Sequence, residues 1–155
     1  MSQMLSMAIK LLADRSCSER NLRRSLEKEF VSLPDLEPQI DACIERLRAL
    51  HLLNDNRFAD SIAHRYSHKG NRFIEQTLKQ KGVPEESIAS ALENLDDEYS
   101  RALDEARKKG RRKADTSVNE AKTSMVRFLS GRGFYHDTIK ALMRDLADEG
   151  FFYVE

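Results

Sequence analysis

One pattern recurs three times along the chain. Leu22–Leu26, Ile74–Leu78 and Met125–Leu129 each place two apolar residues four apart. Four residues beyond the second stands Phe30, Gly82 or Gly133, followed at once by Val31, Val83 or Phe134. Leu26 and Leu78 lie 52 residues apart, Leu78 and Leu129 lie 51 apart. A regular period of this length marks an array of supersecondary units, each too small to bury its apolar face alone. The third helices repeat too: Ile88 and Ile139 are 51 residues apart, whereas Ile40 and Ile88 are 48 apart. The first unit therefore holds extra residues around Pro34 and Pro38.

Apolar residues fall at helical spacing throughout, and strand-like alternation is essentially absent. Leu5, Ala8, Ile9 and Leu12 read as one face of an opening helix. Ser18 has the chemistry of an N-cap for the next, because its oxygen accepts a free first-turn amide. After the two prolines, Ile40, Cys43, Ile44, Leu47 and Leu50 mark a third helix. The middle unit starts at the cap pair Asn54–Asp55 and carries Phe58, Ile62 and Tyr66. Lys69–Gly70 is expected to end that helix, with the glycine in the left-handed conformation. Phe73, Ile74 and Leu78 follow as far as Gly82, then a helix with Pro84 in its first turn. The last unit shows Tyr99, Ala102 and Ala106, then Val118, Met125 and Leu129, then Ile139, Leu142 and Leu146. Phe151–Phe152–Tyr153–Val154 should pack on its core. The expectation is an all-α, elongated tandem array of three three-helix units and nine helices, bounded at 1–52, 53–95 and 96–155. Units of this size sit at the lower limit for folding alone.

Composition narrows the function classes. With 26 Lys+Arg against 26 Asp+Glu the formal net charge is zero, so bulk attraction to nucleic acid or anionic membrane is not implied. Any basic site must be local. No apolar run approaches the length of a spanning helix, and no secretory leader pattern opens the chain. Cys17 and Cys43 are too few for a disulfide framework. The expected protein is cytoplasmic and monomeric. No phosphate-cradling glycine loop is present; of His51, His64, His68 and His136, the pair His64 and His68 is four apart and could ligate a metal on a helix, but neither an HExxH motif nor a third ligand accompanies it. Neither catalytic residues, nor a metal, nor a cofactor is expected, and the chain does not read as an enzyme.

The densest charge is Arg107, Lys108, Lys109, Arg111, Arg112 and Lys113 around Gly110. It closes a helix, where the helix dipole favours cations, so part of the run is structural. The other part offers contacts to phosphates or to an acidic protein surface. No aromatic residue interleaves it in sequence, so base stacking is not indicated there. A second set, Arg57, Arg65, Lys69, Arg72, Lys79 and Lys81, lies in the middle unit, and Arg127 and Arg132 in the third. Helix-turn-helix corners occur at 73–95 and 125–146. The helix after Pro84 carries Glu85, Glu86 and Glu93 and no cation, which disfavours entry into a DNA groove.

A family resemblance emerges from the same residues. Leu53-Asn54-Asp55-Asn56-Arg57-Phe58-Ala59, Arg65, Lys69-Gly70, and Leu78 with Lys81-Gly82-Val83 resemble the signature of the RecX recombination regulators. Ala8-Ile9-Lys10-Leu11-Leu12 with Arg15 and Ser18 resembles the family's first helices, and Arg127-Phe128-Leu129 with Arg132-Gly133-Phe134 its third-unit motif. One departure is that Phe73 precedes Ile74 where the family usually has Arg, with Arg72 one place earlier. The resemblance implies a modulator of RecA in homologous recombination, DNA repair and the SOS response. Such a protein binds in the groove of the RecA–DNA filament and restrains its extension, ATP hydrolysis, strand exchange and co-protease activity. Contacts to single- or double-stranded DNA would be weak, non-specific and made through phosphates. The competing readings are a general DNA-binding helical protein that acts through its basic patches without RecA, and a helical adaptor for another protein.

Overall fold

The computed structural model describes residues 2–14, 17–110 and 115–153. Among them it contains nine α-helices and no strand, and the fold is a tandem array of three-helix domains. The helices are α1 (Ser2–Asp14), α2 (Glu19–Glu29), α3 (Leu36–Ala49), α4 (Asp55–Arg65), α5 (Asn71–Gln80), α6 (Glu85–Glu93), α7 (Glu98–Lys109), α8 (Val118–Gly131) and α9 (His136–Asp148). By packing, the chain divides into two compact units. One comprises 1–61 and 77–91, the other 62–76 and 92–155, so α4, α5 and the end of α6 are divided between them.

In the first unit α1, α2 and α3 pack on one another around Met4, Ala8, Leu22, Leu26, Ile40, Cys43, Ile44 and Leu47. Burial pushes the Cys43 thiol above its ordinary pKa. Ser18 caps α2 as expected, accepting from the Asn21 amide at 3.3 Å, and its own hydroxyl donates to the Lys81 carbonyl. Asn54 Oδ1 likewise accepts from the Arg57 amide at 3.1 Å at the start of α4. The inward face of α1 differs from the expected one. Met4 and Ala8 are buried, while Ile9 points to solvent, because the helix turns the 4–8–11–12 stripe inward.

In the second unit α7, α8 and α9 enclose Ala102, Ala106, Met125, Leu129, Phe134, Ile139, Leu142 and Leu146. Phe152 joins this core and Phe151 packs against it, whereas Tyr153 is exposed. Val154 lies outside the described residues.

The repeated motif has a physical reason in two of its three copies. Gly82 and Gly133 adopt φ of 80° and 87°, a left-handed turn that glycine takes without Cβ strain. The turn sends the next amide back to the motif's second apolar residue: Val83 N–H donates to Leu78 O at 3.0 Å, Phe134 N–H to Leu129 O at 3.2 Å. Val83 and Phe134 are thereby returned to the core, 5% and 1% exposed. Phe30 stands where the glycine would be, at φ −113°. Without the left-handed turn Val31 stays outside, 74% exposed. The first copy thus repeats the helix face but not the turn.

Gly70 corrects another expectation. It has no positive φ, and α4 ends at Arg65, five residues earlier. A Cβ on Gly70 would lie 2.1 Å from the Phe134 nitrogen and 2.2 Å from the Gly133 carbonyl. The position demands glycine because two backbones touch there. Pro84 also sits one place before its expected one: it precedes α6, and its carbonyl accepts from the Ile88 amide at 3.1 Å.

Candidate partner-binding surface

Five of the sequence-predicted cations converge within the second unit. Lys108 and Lys109 lie in the last turn of α7, beside its carbonyl pole, where positive charge is favoured. Lys108 Nζ is 3.2 Å from Glu105 Oε2, and Lys109 Nζ stands over Phe128, 5.2 Å from the ring centroid. Arg132, the C-cap of α8, stacks on the same ring at 4.7 Å and reaches Glu105 Oε1 at 3.8 Å. Arg72 Nη2 donates to the Ser130 carbonyl at 3.0 Å, so a second guanidinium neutralises the same helix end. Lys69 lies over the Phe73 ring at 5.0 Å.

This geometry revises the aromatic reading. No aromatic interleaves the basic run in sequence, but folding places Phe128 beneath Lys109 and Arg132. Each cation–ring contact at such a half-open site contributes about 0.5–1 kcal/mol and, more to the point, fixes where the charge sits. Phe73 has an equally plain role. Its ring meets Tyr66 edge-on at 5.3 Å, and its Cβ lies against Gly133.

Glu105 is buried, 6% exposed, beneath Lys108 and Arg132. One carboxylate thus serves two cations whose outer atoms remain open to solvent. Arg132 Nε is buried with no partner among the described residues.

Beneath this surface α7 carries two further charged residues that organise the backbone. Arg101, 5% exposed, donates from Nε to Asp96 O at 2.8 Å, from Nη1 to Lys69 O at 2.6 Å and Ser67 O at 3.3 Å, and from Nη2 to Asn71 Oδ1. Burial lowers its pKa, and the nearby carboxylates of Glu98, Asp97 and Asp96 oppose that shift. Glu98 accepts from the Asn71 amide at 2.6 Å, the Tyr135 amide at 3.4 Å and the Thr138 hydroxyl at 2.5 Å. The two backbones it joins also bond directly: Gly70 N–H to Arg132 O at 2.8 Å and Arg72 N–H to Gly133 O at 3.1 Å. Tyr135 hydroxyl donates to Glu75 Oε2 at 2.6 Å, and that bond pushes the phenol up to about 12.

The remaining predicted cations lie elsewhere. Arg65, Arg107 and Arg127 are exposed on the second unit and make none of these contacts. Arg57, Lys79 and Lys81 belong to the first unit. There Arg20 donates to the Gln80 carbonyl at 2.6 Å and passes under Gly82, adding a cation beside Lys79 and Lys81 that sequence reading had not placed there. Arg111, Arg112 and Lys113 lie outside the described residues. His64 and His68 line one cleft with Asp96, Asp104 and Lys108, but no group of three metal-capable side chains occurs among the described residues. No described helix is long and apolar enough to cross a membrane.

Glu98, Arg101 and Glu105 were missed as a set, although the signal existed. They follow one another at i, i+3 and i+7 on the helix face that also holds Ala102 and Ala106. A charged stripe at core spacing calls for buried partners.

Known proteins align with this architecture. Residues 54–92 match the family model "RecX, second three-helix domain" and 96–143 match "RecX, third three-helix domain". The Regulatory protein RecX of Chromobacterium violaceum is 34% identical over 132 residues, covering 84% of each chain. That of Salmonella arizonae is 33% identical over 160 residues, covering 95% of this chain and 93% of its own. Among solved structures, RecX from Lactobacillus salivarius superposes with a TM-score of 0.79 at 21% identity, over 94% of this chain and 96% of that one. The two family domains cover both segments that Glu98 ties together, and relatives a third identical run along most of the chain: this protein is a member of the RecX family.

Proposed function

We propose that this RecX-family chain regulates homologous recombination and repair by binding the RecA–DNA filament in its groove and restraining filament extension, ATP hydrolysis, strand exchange and co-protease activity. It acts as a cytoplasmic monomer without catalytic residues, cofactor or metal, and its three repeats meet near 52/53 and 95/96. The observation that carries the reading is the surface of the second unit. Lys69, Arg72, Lys108, Lys109 and Arg132 are set around two helix ends with one buried carboxylate among them. A net-neutral chain with one such surface suits a partner that presents protein and phosphate together, and it gains little from naked DNA. Arg57, Arg65, Lys79, Lys81, Arg107, Arg111, Arg112, Lys113 and Arg127 complete the proposed contact set.

The test compares the natural chain with a Lys108→Ala/Lys109→Ala/Arg132→Ala variant. Binding is measured to RecA filaments on single-stranded DNA and to the same DNA without RecA. Filament binding should weaken at least about tenfold in the variant, since each lost charged contact is worth ~0.5–1.5 kcal/mol or more. Equal affinity of the natural chain for bare DNA and for filament would instead favour the general DNA-binding reading.

A further inference from the structure

The starts of α5 and α9 have no local side-chain cap that explains them. Tyr135, at the N-cap of α9, makes no side-chain cap hydrogen bond. The amides of Asn71 and Tyr135 are instead both served by Glu98, 27 and 37 residues away in sequence. A serine or aspartate at an N-cap would serve an amide two or three residues further on and would leave both of these unjoined. The remote carboxylate satisfies them and ties them together. Arg101 holds one of these two segments from below, gathering the carbonyls of Ser67 and Lys69 and the side chain of Asn71. Asn71 is therefore held twice, by its backbone through Glu98 and by its side chain through Arg101.

From this arrangement we infer that Glu98 and Arg101 are positioning residues, which lock the corner at 67–72 onto the turn at 130–135 so that Lys69 and Arg72 are presented with Lys108, Lys109 and Arg132 as one rigid surface. The rigid fork of arginine matters, because its donors must meet several acceptors at once and a lysine ammonium cannot reach all of them. The touching backbones at Gly70 and Gly133 leave no slack for an alternative register. The functional part of this inference rests on the filament-binding reading above, whereas the lock itself does not.

The experiment has two arms on the full chain, with Arg101→Met, Arg101→Lys and Glu98→Gln. In the first, amide hydrogen exchange at Asn71, Arg72 and Tyr135 should accelerate together by about tenfold or more, with the Leu142 and Ile40 amides unchanged. In the second, inhibition of RecA ATPase is titrated. The Arg101→Met variant should need several-fold more protein for half-inhibition, and adding Lys69→Ala/Arg72→Ala to it should cost little more. Arg101→Lys should recover part of the loss. If Arg101→Met fails to fold, Glu98→Gln carries the same two arms. Exchange that accelerates at one segment alone, or ATPase losses that add in full, would overturn the positioning role. If Lys69→Ala/Arg72→Ala has no effect on ATPase in the otherwise natural chain, the filament reading fails at this surface, and the exchange arm still decides the lock.

Discussion

Replacing Gly70 with alanine separates a steric role from a conformational one. Gly→Ala at an ordinary φ normally stabilises by about 0.4–1 kcal/mol, because it removes freedom from the unfolded chain. Here the added Cβ would sit 2.1 Å from the Phe134 nitrogen and 2.2 Å from Gly133 backbone atoms, where contact needs roughly 3.5 Å. The two segments must part by more than ~1 Å. That breaks the bonds Gly70 N–H to Arg132 O and Arg72 N–H to Gly133 O, at ~1 kcal/mol each. Displacing packed backbone adds ~1–3 kcal/mol. The net expectation is a loss of ~2–4 kcal/mol. All four tyrosines, Tyr66, Tyr99, Tyr135 and Tyr153, lie in the second unit and the chain has no tryptophan. Tyrosine fluorescence during urea unfolding therefore reports that unit. With m near ~2 kcal/mol per molar, the midpoint should fall by ~1–2 M. Gly131→Ala is the control: its Cβ meets open space, so the midpoint should hold or rise slightly. A Gly70→Ala midpoint equal to or above the natural one would refute the close-contact argument.

Other consequences are equally measurable. Ser18→Ala should destabilise the first unit by ~1–2 kcal/mol, since it strips the α2 cap and leaves the Lys81 carbonyl without its donor; unchanged thermal unfolding would count against this. Hydrogen bonds to Asp145 and Glu75 raise the Tyr99 and Tyr135 phenols to about 12. A raised folded pKa means the unfolded chain ionises first, so stability is complete below pH ~10 and falls between ~10 and ~12. A phenolate absorbance titration of the folded protein should show two late tyrosines, and Tyr135→Phe should remove one of them. Glu105→Gln should free Lys108 and Arg132 from their shared carboxylate and delay elution from heparin to higher salt, at a stability cost near ~1 kcal/mol given the exposed lysine; earlier elution would contradict the arrangement.

The helices were legible in the sequence because each carries an apolar stripe at helical spacing. The paired positions 22/26, 74/78 and 125/129 are all buried, and Ser18 and Asn54 cap where their chemistry said they would. What sequence could not show is contact between distant backbones. Gly70 has the appearance of a helix stop, yet its reason is Gly133, 63 residues away. Phe128 is an ordinary amphipathic-helix residue until folding brings Lys109 over it. Glu98 and Arg101 look like surface charge, and only the positions of Asn71 and Tyr135 reveal why Arg101 is buried and what Glu98 accepts from. Conversely, Ile9 and Val31 fit the apolar pattern and remain outside, one by helix rotation, the other for want of a left-handed turn.

The central claim is regulation of RecA by contact with its filament. It is tested most directly by titrating this protein into RecA hydrolysing ATP on single-stranded DNA. The account predicts inhibition at ratios well below one per RecA monomer, relieved as salt rises and weakened in the Lys108→Ala/Lys109→Ala/Arg132→Ala variant. Hydrolysis that stays unchanged up to equimolar protein would contradict it.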